Sequence, residues 1–146
     1  MTPAYRGLAI LGLQCALVLS VAGKYAWDRD RLPRVWANAT PVDPDLPIRG
    51  RYVTMQLRVE PGDRRDDTLM VRLSAENGKL VAHSDPKGTH MIWRRSPDVW
   101  VLTEPVAYFL PEHAPDPSRR QPGQELWVEV SVPPNGPPRP IRLMVK

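Results

Sequence analysis

The chain has 146 residues, 42% apolar and 25% charged, which suits one globular domain and excludes both full disorder and a polytopic membrane protein. Its 18 prolines, 16 of them after residue 40, exclude a helical bundle, since each interior proline breaks a helix at a cost of about 3 kcal/mol. The net charge of +4 is unevenly spread: residues 1–34 hold five basic and two acidic side chains and residues 35–146 hold 15 and 14, so the folded part lacks the basic excess of a nucleic-acid binder.

The first element is apolar. Residues 7–27 (GLAILGLQCALVLSVAGKYAW) are interrupted only by Gln14, Ser20 and Lys24. As a helix they span about 31 Å, the thickness of a bilayer's hydrocarbon core. Tyr5 at one end and Tyr25 with Trp27 at the other suit the headgroup layer, and Lys24 is near enough to the end to snorkel. A cleavable signal peptide, with Ser20 and Ala22 before the cut, is the rival reading. Its apolar core would run over residues 8–22, the upper limit for such a core, so a retained anchor over residues 1–27 is favoured. Cys15, the only cysteine, lies inside the apolar run without the neighbours of a lipoprotein signal, which leaves no disulfide framework and no multi-cysteine metal site.

Residues 28–47 are charged and then proline-punctuated, and are expected to be a connector, with the anchor helix continuing toward Val35. The period then changes to two. Val53, Met55, Leu57 and Val59 alternate with polar residues, as a half-buried strand requires. Leu69, Val71 and Leu73 resume the alternation, and Asn77-Gly78 predicts a tight hairpin returning through residues 80–83. Further strands are expected at 91–94, 100–103 and 106–110. Residues 111–124, with four prolines and a glycine, read as a surface loop. Leu126, Val128, Val130 and Val132 give the cleanest alternation, followed by Ile141, Leu143 and Val145. The expected fold is mainly β: one N-terminal transmembrane helix followed by a small antiparallel β-sandwich or barrel-like domain of about seven strands over residues 48–146.

Two segments carry a family resemblance. Pro41-Val42-Asp43-Pro44 leads into Ile48-Arg49-Gly50-Arg51-Tyr52-Val53-Thr54-Met55-Gln56-Leu57, and Tyr108-Phe109-Leu110-Pro111-Glu112 follows later. Together with the order of anchor, connector and strand, these resemble the bacterial GDYXXLXY family of membrane-anchored proteins. Gly50 and Tyr52 match the naming motif, whereas Arg51, Met55 and Leu57 stand where it has aspartate, leucine and tyrosine. The resemblance implies a domain outside the cytoplasm in the neighbourhood of multi-pass membrane proteins, and no established activity. The positive-inside count opposes that placement, with Lys24, Arg29, Arg31 and Arg34 after the span against Arg6 and the amino terminus before it.

Little in the sequence points to catalysis. His83, His90 and His113 are scattered, without zinc-site spacing. His83-Ser84-Asp85 holds triad residue types, but neighbours in a chain cannot adopt triad geometry. Glu104 and Glu112 flank one strand as a candidate carboxylate pair, and Trp93 with Trp100 form either a buried cross-strand pair or an aromatic platform. Arg94-Arg95 and Arg119-Arg120 are basic pairs expected on loops. The expected protein is therefore a non-enzymatic binding or accessory domain, without cofactor or metal, tethered to the bilayer through residues 7–27, and the family resemblance implies a multi-pass membrane protein beside it. Gly50, Tyr52, Tyr108, Phe109 and Glu112 are its candidate binding residues, with the 111–124 loop beside them. The alternative is an envelope hydrolase or ligand sensor with a polar cleft near Glu104, Glu112 and His113.

Overall fold

The computed structural model describes residues 3–42, 52–62, 70–116 and 121–146. The chain divides into two compact units, Met1–Leu32 and Pro33–Lys146.

The first unit is one helix, α1 (Pro3–Arg31). Pro3 takes the first helical position, where a missing N–H costs nothing. The helix ends where the Leu32 amide donates to the Asp28 carbonyl, 3.0 Å, because Pro33 cannot continue the ladder. Arg29 and Arg31 in the last turn complement the helix dipole, and the Arg31 guanidinium stacks 3.8 Å from the Trp27 ring centroid. The residues from Tyr5 to Arg31 are long and apolar enough to cross a membrane, and none of that apolar window is buried within the protein. The Ser20 hydroxyl donates to the Leu17 carbonyl, 2.8 Å, so this polar group is satisfied inside its own helix.

Among its described residues the second unit contains nine strands: β1 (Arg34–Pro41), β2 (Tyr52–Pro61), β3 (Met70–Glu76), β4 (Lys79–Ser84), β5 (His90–Ser96), β6 (Val99–Leu102), β7 (Val106–Phe109), β8 (Leu126–Ser131) and β9 (Arg139–Val145). The mainly β architecture behind an apolar N-terminal helix is as the periodicity predicts. The hairpin after β3 is built by Asn77 at φ 50° and Gly78 at φ 76°, the double left-handed conformation of its turn type.

The ten-residue β2 organises the domain. Its first half pairs with β1 and β7, and its second half with β6 and β4. The strands β2, β6, β5, β3 and β4 thereby close a five-membered ring, sealed by a short parallel pairing of Glu60 with Val81 and Pro61 with Ala82. The Gly62 amide extends that seam by donating to the Ala82 carbonyl, 2.9 Å. On the other side, β9, β8, β1, β2 and β7 form a second antiparallel layer. The inward residues of both layers make one core, with Met55, Leu57, Leu126, Val128 and Val130 fully buried.

One expected boundary moves. The segment read as a connector contains β1, an interior strand paired with β2 on one side and β8 on the other. Val35, Ala37 and Ala39 are buried in it, so the compact unit starts at Pro33 rather than at residue 48, and α1 stops at Arg31 instead of continuing toward Val35. The charges and prolines around β1 hide a short alternation whose buried members are mostly alanine.

Candidate binding surface

The candidate residues are positioned by the pairing of β2 with β7. In this register Tyr52 faces Phe109, Val53 faces Tyr108, Thr54 faces Ala107 and Met55 faces Val106. Directly opposed residues share a face and neighbours in a strand alternate, so Tyr52 and Phe109 lie together on the outer face. Their rings meet edge to face, with centroids 5.4 Å apart and planes at 65°. Tyr52 is 51% and Phe109 56% exposed, an unusual investment of two large rings outside the core.

Tyr108 is not part of that surface. It shares the inward face with Val53 and packs, half-buried, against the core between the buried Val106 and Leu110. Of the five candidate residues the strand pairing brings Tyr52 and Phe109 together on the outer face and turns Tyr108 inward. Glu112 is exposed on the turn that follows, where the Ala114 amide donates to the Pro111 carbonyl, 3.0 Å. Gly50 and Arg51 lie outside the described residues, as do Leu69 and the Arg119-Arg120 pair.

The remaining chemistry-bearing residues separate. Trp93 opposes Val101, whereas Trp100 opposes Arg94 and packs against the core. The two indoles are therefore on opposite faces and form neither a platform nor a buried pair. Glu104, Glu112 and His113 are all exposed, and no group of three or more His, Cys, Asp or Glu that could hold a metal occurs among the described residues. His90 is buried and its Nε2 lies 3.0 Å from the Gly136 carbonyl; since a carbonyl only accepts, that nitrogen carries the proton and pins the proline-rich link after β8 to β5.

A polar cluster not anticipated from the sequence lies on the outer face of the β3–β4 hairpin. The Ser74 hydroxyl is 2.7 Å from Glu76 Oε1, and His83 Nε2 is 2.7 Å from the same oxygen and 3.1 Å from Ser74 Oγ. A consistent assignment has the serine donating to the carboxylate and Nε2–H shared between Glu76 and Ser74. These contacts, with Ser74's hydrogen bond contributing most and that of His83 next, hold the Glu76 carboxyl below its ordinary range. Ser, His and Glu meet here without forming a catalytic relay, because serine and carboxylate share one ring nitrogen instead of using the two on opposite sides of the ring. The Asn-Gly turn predicts this face: a two-residue loop fixes the register that sets Ser74, Glu76 and His83 on one side. In the His83-Ser84-Asp85 run, Ser84 instead opposes Val71, and Asp85 pairs with Arg72 at 2.6 Å.

Comparison with protein-family models, with curated proteins and with solved structures finds no match for this chain.

Proposed function

We propose that this chain is a single-pass protein of the bacterial cytoplasmic membrane whose β-rich domain lies outside the cytoplasm and works by binding, as an accessory to a multi-pass membrane protein. The observation that carries the reading is α1. Leu8, Leu11, Leu13, Leu17, Val18 and Leu19 are each more than half exposed, a surface that water penalises and hydrocarbon accepts. The length of the apolar run and the aromatic residues Tyr25 and Trp27 at its end favour a retained anchor over a cleaved leader.

Tethering in the bilayer raises the effective concentration of any partner in the same membrane, so a small contact surface is enough. The exposed Tyr52 and Phe109 supply it: aromatic side chains give large contact area at low entropy cost and are the residues that most often anchor interfaces. The resemblance to the GDYXXLXY family supports the outward orientation against the basic flank.

Protease accessibility in intact spheroplasts, with a tag after Lys146, tests the orientation. Digestion of the domain is expected. Protection until lysis would overturn the extracytoplasmic placement. Photocrosslinking from position 52 then tests the surface, a membrane-protein adduct being the expected product.

A further inference from the structure

We propose that the outer face of β1 and β8 is a binding platform for an uncharged glycan chain, with Trp36 and Trp127 as its stacking surfaces. The inference concerns the β-rich unit alone and holds whichever way the anchor is oriented. In β1, Val35, Ala37 and Ala39 are buried in the core, which turns Trp36, Asn38 and Thr40 outward. In β8, Leu126, Val128 and Val130 are buried, which turns Trp127 and Glu129 to the same side. Trp36 opposes Glu129 and Asn38 opposes Trp127, so the two indoles are diagonal neighbours, about 7–8 Å apart at the backbone. Both are half-buried among their strand neighbours, and neither joins the core. The platform is distinct from the Tyr52–Phe109 pair, since Tyr52 lies about 13 Å from Gln56 along β2.

The polar groups around the indoles fit hydroxyls. Asn38 Nδ2 and Trp127 Nε1 both donate to Glu125 Oε2, at 3.1 and 3.0 Å. That shared acceptor fixes the Trp127 ring and the Asn38 amide before any ligand arrives, which lowers the ordering cost of binding. It leaves the Asn38 carbonyl oxygen and Glu125 Oε1 without a hydrogen bond among the described residues. The opposed side chains of Thr40 and Gln56 have none there either. Two amides, a hydroxyl and a carboxylate present donors and acceptors side by side, and a sugar hydroxyl both donates and accepts. The negative π-face of an indole attracts the C–H groups of a pyranose ring.

Charge selects the occupant. Arg142 Nε lies 3.2 Å from Glu129 Oε2, and the Lys146 ammonium, 5.4 Å from the Trp127 ring centroid, belongs to the residue whose backbone pairs with that of Glu125. Glu125 and Glu129 are thus balanced by Arg142 and Lys146, and the face has no excess of either sign to attract a polyanion or a basic peptide. A protein partner would need an apolar centre, whereas among the described residues Met144, opposite Trp127, is the only large aliphatic side chain exposed on these rows. Aromatic rings set among unpaired polar groups without net charge complement a neutral polyhydroxyl chain.

The test titrates maltohexaose, cellohexaose and hexa-N-acetylchitohexaose into the full chain, labelled with 5-fluorotryptophan and solubilised in a detergent without a sugar headgroup. Fluorine spectra then report on all five indoles. Saturable shifts of the Trp36 and Trp127 resonances with at least one of the sugars are expected, while Trp93, exposed on β5, stays unmoved. Trp127→Ala should weaken binding at least about tenfold, as loss of an aromatic anchor does. Thr40→Ala/Gln56→Ala should weaken it about threefold or more through lost hydrogen bonds. No shift with any of the three sugars up to about 10 mM overturns the proposal. Equal shifts of all five indoles, or an affinity indifferent to Thr40→Ala/Gln56→Ala, overturn it as well. The shift pattern of the unaltered chain and the outward-facing double variant keep the test decisive should Trp127→Ala fail to fold.

Discussion

The imidazole of His83 occupies the space that a side chain on Gly62 would need: a Cβ built there would lie 2.7 Å from His83 Cε1 and 2.8 Å from Val81 Cγ1. Gly62 follows the last residue of β2 where the ring closes on β4, so the absence of a side chain is what lets the chain approach β4 there. The ring cannot simply swing away, since Ser74 and Glu76 hold its Nε2. Gly62→Ala is expected to lower the unfolding free energy by about 1–3 kcal/mol, as overpacking of a fitted contact does. Urea unfolding of the detergent-solubilised chain, followed by tryptophan fluorescence, measures it. An unchanged midpoint would mean that the seam relaxes freely.

The same cluster makes a pH prediction. The Glu76 carboxyl is held below its ordinary value by the hydrogen bonds of Ser74 and then of His83. A carboxyl with a depressed folded-state pKa contributes stability above its unfolded pKa and loses it as the pH falls through the folded value. The native chain should therefore lose more stability than Glu76→Gln on acidification below the ordinary glutamate pKa of about 4.3, and the two curves should run parallel above it. Urea midpoints across that range provide the comparison. Since Glu76 is solvent-exposed, the difference is small and should shrink in salt.

Strand β1 shows where the sequence stopped being legible. The alternations of β2 and β8 are visible because valine, leucine and methionine mark every second position. In β1 the buried positions are Val35, Ala37 and Ala39, and two alanines carry too little hydropathy contrast to mark the alternation although both are buried. The closure of β4 onto β2 was equally invisible, because a two-residue parallel pairing is set by the whole ring and not by local pattern. Tyr108, by contrast, was readable: Val106, Tyr108 and Leu110 alternate with Ala107 and Phe109, and the inward pair Val106 and Leu110 already assigns Tyr108 to the core. Deleting residues 33–41 should leave β2 and β8 without their shared partner and yield an aggregated product. A soluble, cooperatively unfolding product from a chain starting at residue 48 would contradict the interior placement of β1.

The aromatic pair has separable stability and binding effects. Edge-to-face contacts of this kind contribute about 0.5–1.5 kcal/mol beyond burial, so a double-mutant cycle of Tyr52→Ala and Phe109→Ala should return a coupling in that range. Tyr108→Ala should cost more, because it opens space beside Val106 and Leu110. Partner crosslinking should follow the opposite order: loss with Phe109→Ala and retention in whatever Tyr108→Ala protein folds. Equal loss in both variants would mean that the contact surface depends on the fold of the whole layer and not on the exposed rings.

The anchor makes the last prediction, and it separates a retained span from a processed leader. Leu17 stands near the middle of the apolar run and is 58% exposed. Replacing it with arginine exchanges a residue that favours the hydrocarbon centre for one that costs about 2.5–3.5 kcal/mol there. Leu17→Arg should therefore move the chain from the carbonate-resistant membrane fraction toward the soluble or degraded fraction. The unaltered chain, extracted from membranes, should have an intact mass that includes residues 1–32. A mature chain beginning soon after Ala22 would instead identify the helix as a leader, and the tethering argument for weak binding through Tyr52 and Phe109 would lose its basis, because a released domain has no raised local concentration to exploit.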